Sequence, residues 1–250
     1  MLAAVVIARN EEGNIERCLR SLAFCDEIIV VDSGSTDRTV EIAKSLATKV
    51  DTRPWSGYAE QKNFANSLAQ ADWILSVDAD EEVPPSLREE ILSAISGAPE
   101  ATAFTMPRKT IQFGKWIRHG GWYPNRIVRL FRKSRGKWVG NDVHEYWDTS
   151  GTVAPLRCDL LHYSFSGISD QVARNNQYSS LGARKLMREG RSFSSLGLVG
   201  KSISKFFETY LLKLGFLDGY PGFIISVSAA YSVFLKWAKL WELQRGERQN

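Results

Sequence analysis

The chain has 250 residues, 44% of them apolar and 24% charged, which excludes a disordered or low-complexity protein and allows one large domain with an appendage. Its 32 Lys and Arg against 28 Asp and Glu leave a net charge of +4, modest for this length, so nucleic acid is not an expected partner. Three cysteines, Cys18, Cys25 and Cys158, cannot all pair and stand in no CxxC or His-flanked metal spacing, which excludes a disulfide scaffold and suits a reducing compartment.

The N-terminal MLAAVVIARNEEG lacks a basic leader and runs directly into charged residues, so it is predicted as a strand rather than a signal peptide, with a cytoplasmic location expected. Apolar runs then alternate with helical spacing: LAAVVIA, then Ile15, Leu19 and Leu22; EIIVVD, then Val40, Ala43 and Leu46; later WILSVD. This predicts β-α-β units on a parallel sheet. The polar segments ARNEEGN, DSGSTDRT and DADEEVPP each follow a strand end, where open α/β sheets form their ligand crevice.

After Pro84 and Pro85, SLREEILSAI has helical spacing, and the texture changes near residue 101. ATAFTMPRKTIQF, RIVRLFRK and GKWVGNDVHEYW read as strands and loops, and from about Ser169 the pattern is helical. The predicted organisation is a domain over 1–168 and a helical extension over 169–250. The basic residues of RIVRLFRKSRGK and RNNQYSSLGARKLMREGR suit an anionic partner. No unbroken apolar run reaches the roughly 18 to 20 residues of a spanning helix. The closest, GFIISVSAAYSVFLKWAKLW at 222–241, is interrupted by serines and lysines and suits lying on a bilayer, although a packed helical hairpin or a dimer interface has the same composition.

WILSV drives straight into Asp78, Asp80, Glu81 and Glu82, and carboxylates this close repel unless donors, water or a cation absorb the charge. Asp78 and Asp80 form a DxD at a strand end, an oxygen set suited to Mg2+ or Mn2+ with a substrate's phosphates, and equally the pattern of a solvated acidic turn. Asp32 and Asp37 suit a binding loop, and equally a turn former and a helix cap.

Taken together, VVIARNEEGNIERCLRSL, IIVVDSGSTDRTVEIA, QKNFANSLAQADWILSVDADE, GGWYPNRIVRLFRK and NDVHEYW resemble, in order, the inverting GT-A glycosyltransferases of family 2, within them the bacterial lipopolysaccharide-core β-1,4-glucosyltransferase branch. The resemblance implies a Rossmann-like nucleotide-diphospho-sugar transferase fold, a mixed α/β sheet with helices on both faces, and a C-terminal helical extension. It implies a donor, UDP-glucose, held by Ala8, Arg9, Glu11 and Asp32 around the uridine, with Lys62, Asn63 and Asp78 assisting. Asp80 is expected to bind Mg2+ or Mn2+, with His162 as a further metal candidate. Glu145 of NDVHEYW is expected as the base that deprotonates the acceptor hydroxyl. Gly120, Gly121, Trp122, Tyr123 and His144 are expected to line the acceptor or sugar pocket, the glycines by close backbone approach and the aromatics by stacking. The implied acceptor is a glycan or glycolipid, which adds peripheral contact with the cytoplasmic face of the inner membrane to the expectations.

The chain lacks the GED and QxxRW elements and the spanning helices of processive family 2 synthases, and it has neither GxGxxG nor a Walker loop. A haloacid-dehalogenase-type phosphotransferase is an alternative for a strand ending in DxD, but Glu82 stands where that loop carries Thr or Val. A non-catalytic sugar-nucleotide-binding scaffold is the other alternative.

Overall fold

The computed structural model describes residues 1–97, 100–140, 145–164 and 167–247. Two compact units divide the chain: 1–109 with 125–163, and 110–124 with 164–250. The second unit thus takes in a segment from the middle of the chain as well as the helical C-terminal part.

In the first unit, β1 (Leu2–Ala8) lies between β2 (Glu27–Asp32) and β4 (Trp73–Asp78), parallel to both, and β3 (Lys49–Thr52) adds outside β2. Helices α1 (Ile15–Ser21), α2 (Thr39–Leu46) and α3 (Tyr58–Leu68) make the connections, and α4 (Pro85–Ser96) follows β5 (Glu81–Glu82). The sheet becomes mixed where β8 (Asn125–Arg132) runs antiparallel to β4 and to β6 (Ala103–Gln112). Its order is β3-β2-β1-β4-β8-β6-β12-β5, with β12 at Leu160–His162 and β11 (Val153–Pro155) paired to β6. A separate antiparallel pair is formed by β9 (Gly136–Val139) and β10 (Tyr146–Thr149).

The unbroken LAAVVIA is explained by burial on both faces. Leu2, Ala4 and Val6 point to one core with Ile15 and Leu19 of α1, Ala43 of α2 and Leu87 of α4. Ala3 and Val5 point to the other, with Ala65 of α3 and the aromatic triad Phe131, Trp138 and Trp147. Within that triad the Phe131 and Trp147 rings stack at 3.6 Å, and Trp138 meets both edge-on.

In the second unit, β7 (Lys115–Trp116) pairs with the end of β6, and α5 (Ile168–Arg188), α6 (Ser195–Phe207) and α7 (Gly219–Glu247) pack around Ala183, Trp237 and Leu240. Gly197 sits where α6 meets α7, and a Cβ there would stand 2.8 Å from the Trp237 ring. A π-helical turn (Glu208–Leu212) and a 3-10 turn (Gly215–Asp218) reverse the chain between α6 and α7. The segment Gly215–Gly246 is long and apolar enough, by length and composition, to cross a membrane. Its scattered serines and two lysines interrupt the apolar run but leave the average apolar.

Candidate active site

The loops after β1 and β2 are tied to each other. Asn10, in the left-handed region at φ 55°, donates its backbone N–H to Ser35 Oγ and accepts from Thr36 N through Oδ1, both at 2.8 Å. Glu11 N donates to Thr39 Oγ1 at 2.7 Å, Glu12 N to Asp37 Oδ2 and Arg38 N to Glu12 Oε2, each at 3.1 Å. Asp32 is buried, and both of its oxygens accept from the turn that follows: Gly34 N and Ser35 N at 2.9 Å, and Ser35 Oγ at 2.5 Å. Asp37 Oδ1 accepts from Thr39 N at the start of α2. Both aspartates therefore close the turns that follow them, Asp37 at the entry to α2. Ala8 is buried, Arg9 exposed, and Glu11 accepts from the Asn14 amide at 2.9 Å.

Each of the four carboxylates after WILSV has a partner supplied by the chain. Asp78 receives Arg129 and, at 3.1 Å, Lys62 Nζ. Glu81, fully buried, takes Arg129 at 3.0 Å and Arg108 at 3.4 Å, and its Oε2 accepts the Asp78 N–H at 2.9 Å. Glu82 accepts the Tyr163 hydroxyl at 2.8 Å and lies 3.7 Å from Arg17 Nε. Asp80 Oδ2 lies 3.3 Å from His162 Nε2 and, among the described residues, has no Lys or Arg within ion-pair distance. Burial alone would raise the Asp78 carboxyl, but the charges of Arg129 and Lys62 outweigh it and hold it well below the usual carboxylate range.

Strand pairing explains the Asp80–His162 encounter: antiparallel β5 and β12 set His162 opposite Glu81, the residue after Asp80. An oxygen and an imidazole nitrogen facing each other at this distance fit a divalent ion of the Mn2+ type. Among the described residues no cluster of three His, Cys, Asp or Glu side chains is formed, so most of an ion's shell there falls to substrate oxygens and water.

Lys62, on α3, is 1% exposed, and its ammonium bridges Asp78 and Glu145, 2.9 Å from the latter's Oε1 and 4.7 Å from the Trp138 ring centre. It thereby brings the acid of NDVHEYW to the end of β4. Asn63, expected at the nucleotide, instead engages the β9 backbone with both ends of its amide: Nδ2 donates to Trp138 O at 2.8 Å and Oδ1 accepts Trp138 N at 2.9 Å. His144 lies outside the described residues.

Gly120, Gly121, Trp122 and Tyr123 belong to the second unit. Both glycines have φ in the left-handed region, 68° and 80°. Their close approach is to the chain itself: Gly120 N donates to Lys213 O at 2.7 Å, and a Cβ on Gly121 would stand 2.8 Å from the Lys213 side chain. Asp218 anchors the same loop by accepting the N–H groups of Arg118 and His119 at 3.1 and 2.8 Å. Trp122 and Tyr123 are half-buried.

The residues that sequence reasoning missed are the cations Arg129 and Arg108. The basic run RIVRLFRK suits an outside anion by composition, whereas its Arg129 faces the protein's own acids, Asp78 and Glu81. An arginine flanked on both sides by apolar residues, Ile127 and Val128 before it and Leu130 and Phe131 after it, was the available signal.

The model of glycosyl transferase family 2 matches residues 3–161. An uncharacterized glycosyltransferase of Rickettsia typhi is 33% identical over 99% of this chain and 89% of its own length. A lipopolysaccharide core biosynthesis glycosyltransferase, LpsC, of Rhizobium meliloti is 30% identical over 96% of this chain and 92% of its own. Among solved structures, glucosyl-3-phosphoglycerate synthase from Mycobacterium tuberculosis in complex with Mn2+, UDP and glucosyl-3-phosphoglycerate superposes with a TM-score of 0.53, at 16% identity, over 79% of this chain and 83% of that one. S. aureus TarS 1–349 in complex with UDP-GlcNAc gives 0.51 at 14% identity, over 99% and 91%. These likenesses establish the GT-A fold.

Proposed function

Because the chain belongs to glycosyl transferase family 2, we propose that it moves glucose from UDP-glucose, with inversion, to a hydroxyl of a lipopolysaccharide inner-core or similar envelope glycan at the cytoplasmic face of the inner membrane. The lipopolysaccharide-core relative supports the acceptor class, and the UDP and Mn2+ in the mycobacterial complex support the donor and the ion. Membership leaves the phosphotransferase alternative without support.

One observation carries the reading: the buried Lys62 ammonium holds Glu145 and Asp78 together, joining an acid of the second half to the strand end that precedes Asp80. In this reading Glu145 accepts the acceptor hydroxyl's proton as that oxygen bonds to the anomeric carbon and the bond to the diphosphate breaks. Lys62 fixes the orientation of Glu145, and the interlocked loops at 9–12 and 32–39 shape the uridine side, with Arg9 and Glu11 reaching the nucleotide. Asp80 and His162 would hold Mg2+ or Mn2+, which when bound supplies charge stabilisation to the departing diphosphate.

The test is Glu145→Gln, read by UDP release from UDP-glucose with a core-oligosaccharide acceptor and, separately, by donor binding. The expected result is a loss of turnover of roughly 10²- to 10⁴-fold with donor binding retained. Full turnover in the variant would overturn the base assignment.

A further inference from the structure

Charge and apolar exposure are both concentrated in the second unit. It carries 14 Lys and Arg against 6 Asp and Glu, whereas the first carries 18 against 22, so a net of +8 is set against −4. Of the 24 large apolar side chains exposed among the described residues, 15 lie between Leu196 and Trp241. On α7, Tyr220, Phe223, Val227, Tyr231, Phe234 and Trp241 are all exposed, and at roughly 100° per residue their spacing confines them to an arc of about 80°. The hairpin tip adds Leu212, 80% exposed.

The opposite side of α7 is committed to protein. Trp237 and Leu240 pack with Ala183 of α5, while Lys239 Nζ donates to Asn176 O and to Ser179 and Ser180 Oγ at 2.6 to 2.9 Å. Asn175 of α5 likewise donates to Ser228 Oγ at 2.6 Å. The outer side of α5 exposes Arg184, Lys185 and Arg188. A bilayer wrapped around α7 would have to take in those charges, which the hydrocarbon core strongly disfavours. An in-plane position leaves those charges in water and sets the stripe at the acyl boundary, while Lys201 and Lys213, exposed and close in sequence to Val199 and Leu212, supply the cations for anionic headgroups.

We propose that the α6–α7 hairpin of the second unit is an in-plane docking surface for an anionic lipid bilayer. The inference stands apart from the transfer chemistry, because lipid binding and donor binding are read separately.

The full chain is floated with vesicles of phosphatidylcholine alone or with phosphatidylglycerol, at 0.1 M and 1 M NaCl. The expected result is flotation with the anionic vesicles, weakened on the order of tenfold by neutral lipid or by high salt. Tyr231→Ser with Phe234→Ser is expected to weaken it by a similar factor while UDP-glucose binding stays unchanged. Four results would overturn the proposal. The folded chain does not float; flotation is unchanged in the double variant; the lipid-bound chain comes off only in detergent, which marks a spanning helix; or the chain is a dimer that the double variant splits, with no lipid binding, which gives the stripe to a second copy.

Discussion

Asp80 differs from its three acidic neighbours in its partner. Asp78 and Glu81 share the buried Arg129, Glu82 has Arg17 and Tyr163, and Asp80 faces an imidazole. Arg129 is therefore structural: removing it leaves the buried Glu81 and the half-buried Asp78 short of a counter-charge. Arg129→Met is expected to cost about 3 to 5 kcal/mol in urea unfolding. The pH dependence follows from Asp78, whose folded carboxyl titrates below the unfolded value of about 3.9, so its contribution is full above roughly pH 4 and declines as pH falls. The wild-type chain should lose stability on acidification below pH 4, and Arg129→Met should lose less over the same range. Equal acid slopes in urea titrations at pH 5 and pH 3 would contradict the pairing. Asp78 and Asp80 were legible as a DxD, but the chain's own cations were not, because a local pattern does not say which face of β8 looks at which strand end.

At the scale of elements, β1, β2 and β4 coincide with the runs LAAVVIA, EIIVVD and WILSVD, since a strand buried on both faces must be continuously apolar. The short β3 and β5 carry polar sequences, KVDT and EE, and gave no such signal. The pairing of β5 with β12 joins residues about eighty apart and depends on the finished sheet, which is why His162 was only a lone histidine in the sequence. Asn63 was read as facing a ligand, but its helix packs beside β9 and its amide fastens that strand. The joint between α6 and α7 makes a separate prediction. Gly197→Ala places a methyl against Trp237 and is expected to destabilise the chain by about 1 to 3 kcal/mol, read as a lowered thermal midpoint and a changed tryptophan near-UV signal. An unchanged midpoint would mean that the helices do not meet there.

For the molecule as a whole, the modest net charge conceals an acidic sheet unit and a basic helical one. The basic clustering of the second half was visible in the sequence. The assignment of 110–124 to the helical unit was not, because it rests on contacts such as Asp218 with Arg118 and His119, a hundred residues apart. The central claim is that a nucleotide-sugar donor binds at the end of β4 with an ion held by Asp80 and His162. The most direct measurement is a calorimetric titration of wild type and Asp80→Ala with UDP-glucose, with and without Mn2+, using GDP-mannose as control. The account predicts Mn2+-dependent binding of UDP-glucose by the wild type, weakened at least about tenfold in the folded variant. UDP-glucose binding that neither Mn2+ nor Asp80→Ala alters would contradict it.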